Sequence, residues 1–129
     1  MKNKALIITD GTAKIENIAH SISSVLNDYS VKICAAQKFE GTDLLPADVF
    51  FIGCEKSSPS SFSYIEVMLS HINLASRKCG IFSVNEDTIK YLRGIVEDCD
   101  AALGSVLYVK NEEIDKSALK NWVETIIKG

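Results

Sequence analysis

Short, unbroken apolar runs alternate with apolar residues at helical spacing along the whole chain. The runs are Ala5 to Thr9, Val31 to Ala35, Val49 to Gly53, Gly80 to Val84 and Ser105 to Val109. Their Val, Ile, Leu and Phe residues seldom alternate with polar ones, which predicts strands buried on both faces, as in a parallel sheet covered by helices. Between the runs, Ile15, Ile18, Ala19, Ile22, Val25 and Leu26 fall on one helical stripe, and Ile65, Met68, Leu69 and Ile72 on a second. Ile89, Leu92, Val96 and Cys99 form a third. The last helix opens at a predicted N-cap, Asp115, and carries Leu119, Trp122, Val123, Ile126 and Ile127, so Trp122 is expected in the core.

The helix after the third run has two start signals: Ser63 and Glu66 at capping-box spacing, and Phe62 and Val67 at hydrophobic-staple spacing. From Gln37 to Asp48, Gly41 and Pro46 break the pattern and predict a short helical turn or an irregular crossover. Every connection is long enough for a crossover and none has hairpin spacing, so the strands should all be parallel. Five strands with right-handed crossovers make an α/β fold, a three-layer doubly wound sandwich over residues 1–129. At this length one domain buries roughly two-thirds of the surface its unfolded chain exposes, enough for a core without metal or disulfide staples.

Several function classes are excluded or disfavoured. A net charge of -3 with no clustering of Lys and Arg argues against nucleic acid as partner. The apolar stretch behind Met1-Lys2-Asn3-Lys4 is too short for a signal peptide, and no run approaches membrane-spanning length. Cys34, Cys54, Cys79 and Cys99 are scattered without a CxxC pair, which points away from zinc or a redox dithiol and toward a reducing cytoplasm. His20 and His71 lie off the apolar stripes, on the surface, with no partner evident.

In such a fold, ligands bind where strand carboxyl ends meet helix N-termini. Thr9-Asp10-Gly11-Thr12-Ala13-Lys14 follows the first strand, and the helix behind it can hold an anion such as phosphate. The alternative is an ordinary cap at Thr12 or Asp10 with a tight turn at Gly11. After the third strand, Gly53-Cys54-Glu55-Lys56-Ser57-Ser58-Pro59-Ser60-Ser61 offers hydroxyls and Lys56 to an anionic ligand, or is simply a solvated connection. Cys54 could face the ligand edge with a lowered pKa or be a small buried hydrophobe. Asn85, followed by Glu86 and Asp87, reads as an N-cap, and Lys110-Asn111-Glu112-Glu113 carries no signal.

Leu6-Ile7-Ile8-Thr9-Asp10-Gly11-Thr12-Ala13-Lys14-Ile15 resembles the opening of the flavodoxins, an apolar strand followed by a T-x-T-G-x-T phosphate loop. Asp48-Val49-Phe50-Phe51-Ile52-Gly53 is similar to their third strand, and Phe82 and Trp122 also fit. The resemblance covers nearly the whole chain and implies the strand order 2-1-3-4-5. It further implies FMN held by its phosphate at Thr9, Asp10, Gly11 and Thr12. The flanks would come from Cys54, Lys56, Ser57, Ser58 and Asn85, with electron transfer to a redox partner protein as the function.

The loops depart from the family. Aligned on Thr12, Ile7 stands for the first Thr and Asp10 for the Gly, and a carboxylate there repels phosphate unless the turn points it away. Cys54-Glu55-Lys56 replaces the usual stacking Tyr or Trp, for which Phe62 or Tyr64 could substitute only if the loop folds back. Ser83-Val84-Asn85-Glu86-Asp87 is shorter than the family's third loop. Receiver domains share the architecture but need a phosphoaccepting Asp where Gly53 and Cys54 stand. Two expectations follow: an FMN electron carrier with a weakened site, or a cofactor-free binding or interaction module. Either would be monomeric or weakly dimeric and more a carrier or binding domain than an enzyme.

Overall fold

Side chains alternate across a strand, so one apolar run can feed two cores. In the computed structural model, which describes residues 3–75, 77–110 and 113–128, β1 (Asn3–Thr9) and β3 (Val49–Gly53) do so. Ala5, Ile7, Val49 and Phe51 enter one core with Ile15, Ile18 and Ile22 of α1 (Ala13–Val25) and Trp122 of α5 (Lys116–Lys128). Leu6, Ile8, Phe50 and Ile52 enter the other. There they meet Ile65 and Leu69 of α3 (Ser63–Ser70) and Leu92 and Val96 of α4 (Glu86–Glu97).

The sheet runs β2 (Tyr29–Ala35), β1, β3, β4 (Lys78–Ser83), then β5 (Ala102–Leu103), with β6 (Leu107–Tyr108) also on β4. Every pairing is parallel. This is the expected doubly wound sandwich in the order 2-1-3-4-5, with three corrections to the strands.

First, the expected fifth strand, Ser105 to Val109, is only half of what flanks β4. Cys79 pairs with Leu103 and Phe82 with Leu107, so four steps on the outer strand face three on β4. One extra residue is a bulge, which breaks the ladder into β5 and β6. Second, the edge strand β2 is not buried on both faces: its exposure alternates along Tyr29–Ala35, with Cys34 the buried residue. Third, β1, β2 and β4 begin earlier than the apolar runs do.

The start of α3 also differs. A 3-10 turn, Ser60–Phe62, runs straight into the helix, so Ser63 is already a helical residue and cannot cap it. Ser63 Oγ donates to the Ser60 carbonyl at 2.9 Å, and Glu66 accepts from the Tyr91 hydroxyl at 2.6 Å, so the expected capping box does not form. The staple is absent too, because Phe62 is buried while Val67 is 60% exposed. The crossover after β2 is a 3-10 turn, Ala36–Lys38, and a four-residue helix, α2 (Gly41–Leu44). Asp115 caps α5 as expected, accepting from the Ser117 and Ala118 amides at 3.0 and 3.2 Å. Trp122 is buried, and its indole N–H donates 2.7 Å to the Ser105 carbonyl inside the bulge. Of Lys110 to Glu113, Asn111 and Glu112 lie outside the described residues, as does Met1-Lys2.

Candidate functional site

The parallel register puts the carboxyl ends of β1, β3 and β4 side by side, which gathers three loops at one edge. Thr9–Thr12, Cys54–Ser58 and Asn85 all lie there. The buried Thr9 hydroxyl donates 2.6 Å to Glu16 in the first turn of α1 and accepts the Gly11 amide at 3.2 Å. Gly11 sits at φ +82, a left-handed backbone that an L side chain would strain. Thr12 is the N-cap residue, yet its own side chain accepts no cap bond. Asp10 supplies the carboxylate instead: Oδ1 accepts from the Thr12 amide at 3.0 Å and from the Thr12 hydroxyl at 2.7 Å. Its Oδ2 accepts the Glu55 amide at 2.8 Å, joining the first loop to the second.

The second loop is laced to the third in the same way. Ser83 Oγ donates 2.7 Å to the Cys54 carbonyl and Thr88 Oγ1 donates 3.0 Å to that of Glu55. Ser57 Oγ reaches the Asp87 carbonyl at 3.5 Å. Asn85 caps α4, accepting the Asp87 amide at 3.1 Å, as expected of it. Lys56, Ser57 and Ser58 are exposed, and Ser58 takes a left-handed φ of 48. Lys14 pairs with the Glu55 carboxylate at 3.4 Å across the first two loops. The edge is therefore acidic, with Asp10, Glu16, Glu55, Glu86 and Asp87 around Lys14 and Lys56. Thr88 was not among the residues expected here, and Glu55 and Ser83 were named only as members of their loops. Their part is played through backbone groups of Cys54 and Glu55, 29 to 45 positions from their partners, which no local motif announces.

No protein-family model matches the chain, and no curated protein does. Solved structures match over nearly the full length of both partners. One is a short-chain flavodoxin associated with a non-canonical PDU bacterial microcompartment, with TM-score 0.86 and 14% identity over 99% of this chain and 98% of that one. Another is flavodoxin 2 from Bacillus cereus, oxidised, at 0.82 and 20% over 97% and 98%. A third is the flavodoxin of Streptococcus pneumonia TIGR4, at 0.81 and 16% over 97% of each. This chain has the flavodoxin fold.

Within that flavodoxin-like frame, the two aromatics weighed as stacking rings, Phe62 and Tyr64, are packed against other rings. Phe62 is fully buried, its ring 6.4 Å from that of Tyr91, and Tyr64 lies on the outer face of α3, 6.2 Å from Phe39. Cys54 is buried, with its thiol donating 3.2 Å to the Lys56 carbonyl. Burial, and then the negative charges of Asp10 and Glu66, push that thiol far above its ordinary pKa, so it is held as the unreactive SH form. His20 and His71 are exposed, but each has a neighbour: Glu16 at 3.9 Å from His20, and the Val67 carbonyl at 2.8 Å from His71. Among the described residues, no group of His, Cys, Asp and Glu could hold a metal ion, and no helix is long and apolar enough to cross a membrane.

The apolar surface lies elsewhere. Leu45, Tyr64 and Val67, all more than half exposed, line an open groove of about 650 Å³ between α2 and α3.

Proposed function

We propose that this flavodoxin-like chain is a binding module that contacts a partner protein and does not work as an FMN carrier. The observation that carries the reading is the lacing of the loop edge. The second loop, whose counterpart flanks the flavin in the family resembled, is tied to the first through Asp10 and Glu55 and to the third through Ser83 and Thr88. The residues present do not fit the cofactor: a carboxylate replaces glycine in the phosphate turn, Phe62 is fully buried against Tyr91, and Tyr64 packs beside Phe39. Loss of a stacking ring alone forfeits about 1–3 kcal/mol, by analogy with nucleobases on aromatic side chains.

The groove between α2 and α3 is the contact face that fits this reading. Tyr64, Val67, Met68 and His71 follow the spacing of one helical stripe, and the four-residue α2 is too short to cover it. Eight residues line the groove, against about 20–30 a side in a standard interface, so a single amphipathic helix of a partner suits it better than a second copy. An FMN electron carrier is the second reading, favoured by the full-length fold match to flavodoxins and by the hydroxyls of Thr9 and Thr12 flanking the turn between β1 and α1.

Titration of the folded chain with FMN and with riboflavin, followed by flavin fluorescence, separates the two. The binding-module reading expects micromolar affinity or weaker for both. Nanomolar quenching by FMN would restore the carrier.

A further inference from the structure

Asp10 is the residue at which sequence and geometry part most sharply from a phosphate-binding turn. A bound phosphate at such a turn would offer anionic oxygens to the first amides of the helix and to nearby hydroxyls. The Asp10 carboxylate does the same for the turn that leads into the helix, taking the amide and hydroxyl of the N-cap residue Thr12 with one oxygen and the Glu55 amide with the other. We infer that Asp10 is an internal anion that fills the place a phosphate would occupy, excludes phosphate ligands, and holds the first loop against the second without one. The inference rests on the binding-module reading and deepens it: the site has exchanged an external anion for a covalently attached one.

The geometry supports a positive role over a chance cap. An ordinary N-cap serves its own helix, with one oxygen turned to the amide two or three residues on. Here the second oxygen spans 45 positions to the Glu55 amide, and the Lys14 to Glu55 ion pair crosses the same gap at 3.4 Å. The Glu16 carboxylate, held by the Thr9 hydroxyl, flanks the same turn, so a second anion entering beside Asp10 would meet like charge from both carboxylates.

Two variants test this with inorganic phosphate as the probe, in the full chain. Asp10→Gly removes the carboxylate and leaves space and donors. It should lower Tm in phosphate-free buffer and regain it as phosphate is added, with a phosphate Kd at least about tenfold below that of the unmodified chain. Asp10→Asn keeps the volume but turns a donor toward one of the amides. It should speed hydrogen exchange at the Glu55 amide or, with the side-chain amide turned the other way, at the Thr12 amide, and gain no response to phosphate.

Equal phosphate dependence of Tm in the unmodified chain and Asp10→Gly would overturn the inference. So would exchange unchanged at both the Thr12 and the Glu55 amides in Asp10→Asn, a reading available even if Asp10→Gly does not fold. Tight flavin binding with FMN and riboflavin alike would sink the functional reading alone, because it would place the affinity in the ring and leave the phosphate position to Asp10.

Discussion

Trp122 links the C-terminal helix to the bulged edge of the sheet, and its replacement should be among the costlier single changes in the chain. The side chain is 6% exposed. Its ring meets Phe51 at 5.5 Å and 58° and Phe82 at 6.4 Å and 72°, and its N–H is bonded to the Ser105 carbonyl. Truncation of a buried Trp to Ala costs about 3–5 kcal/mol through lost transfer energy and the cavity left behind. Trp122→Phe keeps an aromatic ring against Phe51 and Phe82 but drops the hydrogen bond. Because Ser105 is exposed and its carbonyl can turn to water, that loss sits near 1 kcal/mol, plus a smaller packing loss. Trp122 is the chain's single tryptophan, so unfolding in urea should be followed by far-UV circular dichroism, and the native protein should show blue-shifted emission. A cost below about 1 kcal/mol for Trp122→Ala would refute the packing argument, as would red-shifted native emission.

Gly53→Ala should be strongly destabilising, because its Cβ would stand 2.4 Å from Cε2 of the fully buried Phe82, and overpacking of this kind costs about 1–3 kcal/mol or more. Denaturation midpoints matching the unmodified chain would show that Phe82 can move aside. All four cysteines are buried, so Ellman's reagent should label none of them in the native protein at mildly alkaline pH and all of them in denaturant. Fast native labelling of one thiol, Cys54 above all, would contradict the buried, protonated state described for it.

Much of this fold was legible because parallel strands covered on both sides leave unbroken apolar runs. Val49 to Gly53 is bounded by the sequence pattern and the structure alike. The outer strand escaped because Ala102 and Leu103 are too short a run to read, and the bulge that separates them from Leu107 and Tyr108 is a matter of register against β4. Ser63 and Glu66 misled in an instructive way: the spacing of a capping box is necessary but the preceding 3-10 turn decides where the helix starts. At the loop edge, the identity of Asp10 flagged a departure from a phosphate turn. That its second oxygen holds the Glu55 amide depends on bringing together residues 45 apart, which only the assembled sheet does. The exposed stripe of Tyr64 and Val67 was hidden for the same reason, since whether a helix face is covered depends on the length of its neighbour α2.

The central claim, that the loop edge is laced shut and does not carry FMN, is tested most directly by flavin content. The chain, produced natively, would be incubated with excess FMN, passed through gel filtration, and its flavin-to-protein ratio measured by absorbance. The account predicts a colourless protein with a ratio near zero. A yellow protein holding one FMN per chain would contradict it.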